Sequence, residues 1–194
     1  MPSIDIAALS PEQRLEIAVQ VIRSSESGKI PRPVFAEIAK KLVMCTVELV
    51  PLRVRGETID VLLTERSMDD PWWPGKWHVP GTMMFPDDEF EFHDDFSEPL
   101  ERLLGKGGEL DGGVNVIGEP VVVGPDRRVH ERGHEFSLVH YVQVSGESEE
   151  GRFFPAEKLP ESVPGRGMID FQVGFIQRAV KRFRMDNLRN GPNS

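Results

Sequence analysis

Trp77-His78-Val79-Pro80-Gly81-Thr82, with the later segment Ser97-Glu98-Pro99-Leu100-Glu101-Arg102-Leu103-Leu104, is the stretch whose reading decides the fold. Trp77 to Met84 reads as extended chain. Ser97 can cap a short helix that tolerates Pro99 in its first turn and runs to Leu104. Gly105, Gly107 and Gly108 stop that helix. Between the two lies Asp87 to Asp95, acidic and read as a loop.

Upstream, Cys45 to Arg55 and Thr58 to Glu65 are rich in Val and Leu and read as strands joined at Gly56-Glu57. Met68 to Lys76 is a loop holding Trp72 and Trp73. Further back, Ser10-Pro11-Glu12-Gln13 has the form of a capping box, followed by Leu15, Ala18, Val21 and Ile22 at helical spacing. Ser24 to Gly28 ends that helix. Pro33 opens a second, with Val34, Ile38 and Leu42 on one face. Downstream, Val114 to Val123 and Phe136 to Val144 alternate like strands. Gly124 to Glu135 and Ser145 to Arg152 read as polar loops. Met168 to Phe183 predicts an amphipathic helix with Ile169, Val173, Ile176, Val180 and Phe183 inward. The order predicts an α/β fold with a mixed sheet. No Gly-rich loop opens a helix, which excludes a P-loop or a Rossmann unit.

The chain has 194 residues, enough for one domain with a small appendage. The expected division is an N-terminal helical extension over 1–44, a domain over 45–185 and a flexible tail over 186–194. Its net charge of −9 repels nucleic-acid backbones and anionic membranes at long range, so neither is an expected partner. A small anion is not excluded, because it needs only a local basic pocket or a metal. Cys45 is the only cysteine, so no internal disulfide can form. The opening MPSIDIAALSPEQ does not read as a signal peptide, and no run approaches the roughly 18 apolar residues of a spanning helix. A cytoplasmic protein is expected.

Trp77 to Thr82 resembles the W-x-x-P-G-G opening of the Nudix box. Val61-Leu62-Leu63-Thr64-Glu65-Arg66 resembles that family's second-strand pattern. Phe153 to Pro160 resembles the segment before its last helix. The likeness spans roughly Cys45 to Phe183. It implies an α/β/α sandwich that hydrolyses a nucleoside diphosphate linked to another group. It further implies Mg²⁺ or Mn²⁺ on helix-spaced glutamates, which polarises the phosphate and activates water.

The box itself departs from the family pattern, and two registers compete. In one, Glu89 takes the first acidic position, while Glu98 and Glu101 stand one helical turn apart on one face. In the other, Glu101-Arg102-Leu103 resembles the variant box of GDP-mannose mannosyl hydrolases, with an insertion in the preceding loop. The metal ligands implied are Glu89, Glu98 and Glu101, with Glu101 also counted as catalytic. These acids could equally be solvated charges at a helix start.

His130 and His134 are the candidate general bases, since histidine titrates near neutrality. Arg66, Arg127 and Arg128 are the candidate phosphate contacts. Trp72 and Trp73 either stack on a base or plug their loop onto the core. A small nucleotide derivative is the expected ligand. The N-terminal helices offer a surface for a homodimer. The rival reading keeps the fold but not the chemistry, leaving a nucleotide-binding or interaction module.

Overall fold

The computed structural model describes residues 9–24, 30–84, 97–104, 109–110 and 113–189. The acidic segment with Glu89, the glycines after Leu104 and the side chain of Glu101 lie outside the described residues.

The elements run α1 (Pro11–Ser24), α2 (Arg32–Ala39), β1 (Val43–Arg55), β2 (Thr58–Glu65), β3 (Trp77–His78), β4 (Gly81–Met83) and α3 (Ser97–Leu104). Then follow β5 (Glu109–Leu110), β6 (Val114–His130), β7 (Gly133–Ser145), β8 (Gly151–Pro155), a 3-10 turn (Ala156–Lys158) and α4 (Gln172–Arg189). The sheet order is β3-β2-β1-β7-β6-β5, with β4 added on β1 and β8 on β2. β1 and β7 run parallel while the other pairs are antiparallel, so the sheet is mixed as expected.

Both faces of the sheet are covered, which explains why β1 and β2 read as near-continuous apolar runs. Val50, Leu52, Val61, Leu63, Val139 and Tyr141 pack beneath Phe175, Ile176, Ala179 and Phe183 of α4. Their strand neighbours Leu49, Leu62, Val142 and Val144 point the other way, against Leu100, Leu103 and Leu104 of α3. α3 is thus held by its leucines, and Pro99 is buried beside them.

Three expectations need correction. Gly124 to Glu135 is not a loop: β6 and β7 continue through it as a hairpin closed at Glu131-Arg132. Its inward positions are polar, so an apolar alternation is absent. Asp126 pairs with Arg128 and Arg178, which lets charged residues occupy the covered face. The last helix begins at Gln172, not Met168, because Met168 and Ile169 are extended. Met168 forms a parallel bridge to Trp77. The helix also continues past Met185 to Arg189. Leu42 lies beyond the end of α2 and is exposed.

The capping box before α1 is present: Gln13 N–H donates to Ser10 Oγ at 3.3 Å, and Ser10 N–H to Gln13 Oε1 at 2.9 Å. Leu15, Ile17 and Ile22 of α1 are exposed, while α2 docks on the domain. Phe35 meets Trp72 edge-on at 5.9 Å. Ala39 is buried against the hairpin, where a Cβ on Gly133 would lie 2.1 Å from its carbonyl oxygen. Gly133 also has φ of +133°, so only glycine fits there.

Candidate functional site

Strand register gathers a polar cluster at one end of the α4-facing side of the sheet. Met44, Thr46 and Glu48 alternate on β1, and their parallel partners on β7 are Glu135, Ser137 and Val139. Side chains two apart share a face. Glu48, Glu135, Thr46 and Ser137 are therefore neighbours, and all four are buried.

The walls come from the loop after β2, the β6–β7 hairpin turn and the start of α4. After β2, Arg66 donates through Nε and Nη2 to Asp70 Oδ2, both at 2.7 Å. Asp70 Oδ1 accepts the amides of Trp72 at 3.0 Å and Trp73 at 2.8 Å, which folds the loop back. At the hairpin turn, Arg132 donates to Glu135 and lies over Trp73, 5.4 Å from the ring centroid. At the first residue of α4, Gln172 Oε1 accepts the Val79 amide at 3.0 Å, and its Nε2 donates to Glu48 at 3.3 Å. Gly81 completes the floor, because a Cβ there would lie 2.5 Å from a Glu48 carboxylate oxygen. Glu48, Arg66, Trp73, His78, Gly81 and Arg132 line the resulting cavity of about 80 Å³. A larger groove of about 380 Å³ lies between the 3-10 turn and α4, but its ion pair, Arg184 with Glu157, is exposed. The smaller cavity, with its buried charges, is the candidate site.

Burial pushes the Glu48 carboxyl up to about 8, against the pull of Arg132, Thr46 and Arg66. Burial pushes His78 down to about 4, and Arg66 adds to the effect. His130 also falls to about 4, through burial and then Arg132. Burial raises Asp70, but the Trp73 and Trp72 amides and Arg66 outweigh it, so its pKa ends lowered. At neutral pH the cavity therefore holds uncharged Glu48 and His78 among two arginine–carboxylate pairs.

These shifts set a stability profile. Between about pH 4 and 6.5 the unfolded chain binds protons that folded His78 and His130 refuse, so stability rises with pH. Between 4.5 and about 8 folded Glu48 keeps a proton that the unfolded chain loses, so its contribution falls with pH. Two rising groups outweigh one falling group below 6.5, and Glu48 alone acts above it. Calorimetric melting should show a maximum at roughly pH 6.5. A melting temperature still rising at pH 8 would contradict the assignment.

Only part of the sequence-predicted set converges here. Arg66 and Trp73 line the cavity. Trp72 is turned toward Phe35 and plugs the loop onto α2. His130 stands behind the cavity wall, stacked on Phe171 at 4.9 Å and edge-on to Trp73. It lacks the near-neutral pKa that motivated its choice as a base. Its Nδ1 accepts the Arg132 amide at 3.3 Å, and its Nε2 lies 3.4 Å from Glu135 without forming a hydrogen bond. His134 pairs with Val129 on the opposite, exposed face, because the turn intervenes between the two histidines. Arg127 is exposed on that same outer face. Arg128 binds Asp126 and covers Phe171 and Phe175. Glu48, His78, Arg132, Glu135 and Gln172 complete the site.

Glu98 is half-buried in the first turn of α3. Arg102 of the same helix donates to the Met83 carbonyl at 3.0 Å, which ties α3 to β4 at the cavity edge. Among the described residues no group of three or more histidine, cysteine or acidic side chains could hold a metal ion. In the cavity, Glu135 is committed to Arg132, and burial pushes the Glu48 carboxyl toward its protonated form.

No protein-family model matches the chain, and no curated protein matches it. Solved structures do. A MutT protein from Methanosarcina mazei is 18% identical, over 74% of this chain and 97% of its own, with a TM-score of 0.51. A mutT/nudix family protein from Listeria innocua is also 18% identical, over 74% and 95%, at 0.50. The Ap4A hydrolase of Caenorhabditis elegans is 10% identical, over 73% and 99%, at 0.50. The chain has the Nudix fold. Its finer likeness to the GDP-mannose mannosyl hydrolase branch rests on sequence alone.

Proposed function

We propose that this Nudix-fold chain binds a nucleoside diphosphate derivative and hydrolyses its diphosphate with Mg²⁺ or Mn²⁺. The observation that carries the reading is the convergence of Arg66, Arg132 and Trp73 on one enclosed cavity beside Gly81. A cavity of about 150 Å³ accommodates benzene. The 80 Å³ found here suits a phosphate-sized group, which leaves the base and sugar outside the cavity. Arginine forks match phosphate oxygens, and a ligand phosphate can exchange with the Asp70 carboxylate on Arg66.

A divalent metal would supply charge neutralisation and an activated water. The candidate ligands remain Glu89, Glu98 and Glu101. His134 remains a proposal only as an exposed group outside the cavity. The structural neighbours named as a MutT protein and an Ap4A hydrolase support the class of reaction by fold analogy. None of the described helices is long and apolar enough to cross a membrane.

Nucleotide sugars, dinucleoside polyphosphates and nucleoside triphosphates with Mg²⁺ or Mn²⁺ form the test set. The absence of both turnover and calorimetric binding across that set would sink the reading. Arg66→Ala should weaken binding roughly 10- to 100-fold, the loss of one charge-assisted contact, as measured by titration calorimetry. Binding without turnover, unaffected by metal, would select the second reading of a nucleotide-binding module. The burial of Pro99 and the engagement of Arg102 with Met83 favour that second reading, because both give α3 a packing role.

A further inference from the structure

Two open features of the chain have the shape and charge to cover each other. The first is helix α1. Leu15, Ala18, Val19 and Ile22 follow at helical spacing and form one apolar stripe. Leu15 is 65% exposed and Ile22 43%; Ala18 is exposed as well, and Val19 is half-buried. A helix of 14 residues is marginal in water, and most of its stability comes from packing such a face. Glu12, Glu16 and, in the last turn, Arg23 flank the stripe on one side, all exposed.

The second is the groove of about 380 Å³ between the 3-10 turn and α4. Leu159 and Val180 are buried in its floor, while Met185 and Leu188 stand exposed along its wall, Leu188 at 83%. Its rim carries Lys181 and Arg184, with Glu157 across from them on Arg184.

We propose that α1 of one copy of this chain seats in the α4 groove of a second copy. Anchors at i, i+3, i+4 and i+7 are what a helix presents to an apolar groove, and Leu15, Ala18, Val19 and Ile22 have that spacing. The charges match as well. The helix flank holds two acids and one base, and the groove rim two bases and one acid. Reciprocal seating makes two such contacts and closes a two-fold dimer. A lipid surface is a poorer cover for α1. Surface-seeking helices carry a basic polar face, whereas here Glu12 and Glu16 offset Arg14 and Arg23, and the chain as a whole is at −9. The inference stands apart from the nucleotide reading, since neither feature touches the cavity.

Sedimentation of the full chain tests it. The wild type should pass from monomer to dimer over roughly 1–100 µM, as befits a small interface. Ile22→Asp should weaken the dimer at least about thirtyfold, the loss of a central anchor. Ile17→Asp, on the opposite face of α1, costs the helix as much propensity and should leave the dimer intact. Charge reversal reads the pairing itself. Glu12→Lys with Glu16→Lys, and separately Lys181→Glu with Arg184→Glu, should each weaken self-association at least about tenfold by setting like charges together. Mixing the two reversed proteins restores opposite charges at both contacts, so they should form a heterodimer near wild-type strength. Every position changed is exposed, so the domain should melt as the wild type does in each variant. A wild type still monomeric at about 1 mM overturns the proposal. So does a dimer indifferent to Ile22→Asp, whose interface would lie elsewhere. A groove reversal that dimerises like the wild type would point to α1 pairing with α1 and overturn it too, as would reversed proteins that ignore each other.

Discussion

Arg132→Met will destabilise the protein by about 3–5 kcal/mol at neutral pH, because it strands a buried carboxylate. Methionine keeps most of the apolar stem that lies over Trp73, so the variant isolates the charge. Glu135 is 2% exposed, and its remaining partners are the Ser137 hydroxyl and the unaligned edge of His130. Neither replaces a guanidinium. Glu135 will respond by keeping a proton in the folded state. The sign follows: a carboxyl with raised folded pKa costs nothing below its unfolded pKa, and the cost grows as pH rises toward the folded value. Urea unfolding at pH 4 and pH 7 should therefore show a small loss and a large one. Adding Glu135→Gln should recover most of the loss at pH 7, since an amide needs no counter-charge. A single variant within 1 kcal/mol of wild type at both pH values would show that the pair is not the support claimed for it.

That pair also marks the limit of what the sequence disclosed. The strands were legible because two covered faces require runs such as Val61-Leu62-Leu63, whatever lies at their ends. β2 runs from Thr58 to Glu65, two residues past the end of its apolar run at Leu63. The hairpin was not legible past Val123, because its inward side chains are polar: Asp126 and Arg128 pair with each other, and His130 stacks on Phe171. Polarity there signals pairing, and polarity in a true loop signals solvent. Composition cannot separate the two.

The site shows the same division. Arg66 was found through the family resemblance, and Trp73 because an aromatic side chain on the loop after β2 can stack on a base; both line the cavity. Glu48 was passed over as a polar interruption in an apolar strand, and Glu135 as the end of a loop. The signal was present: an acid among Val47, Leu49 and Val50 is buried at a cost unless it is partnered or protonated. Its strand neighbour Thr46 bonds Ser137, 91 residues away, and only the parallel register of β1 and β7 reveals that pairing.

Phe175→Ala will cost about 3–5 kcal/mol, the range for emptying a fully buried aromatic site. Phe175 is 0% exposed at the first turns of α4, and it bears edge-on against Phe171 at 5.8 Å. Arg128 and Arg178 cover the same ring, at 5.3 and 5.7 Å. These neighbours are anchored by Asp126, so they cannot collapse far into the space left behind. Phe175→Leu should cost clearly less, because it leaves a smaller void in the same apolar setting. The effect will not stop at stability. Phe171 lines the cavity and stacks on His130, and Phe175 is its support from behind. A loosened Phe171 lets His130 and Trp73 shift, so a nucleotide that binds the wild type should bind Phe175→Ala more weakly at temperatures where both are folded. Chemical denaturation gives the first effect and calorimetry the second. A loss below 1 kcal/mol would mean that this part of α4 is not the close-packed wall described. A full loss of stability with unchanged affinity would separate the core from the site, and Trp73 would then be held by Asp70 and Arg132 alone.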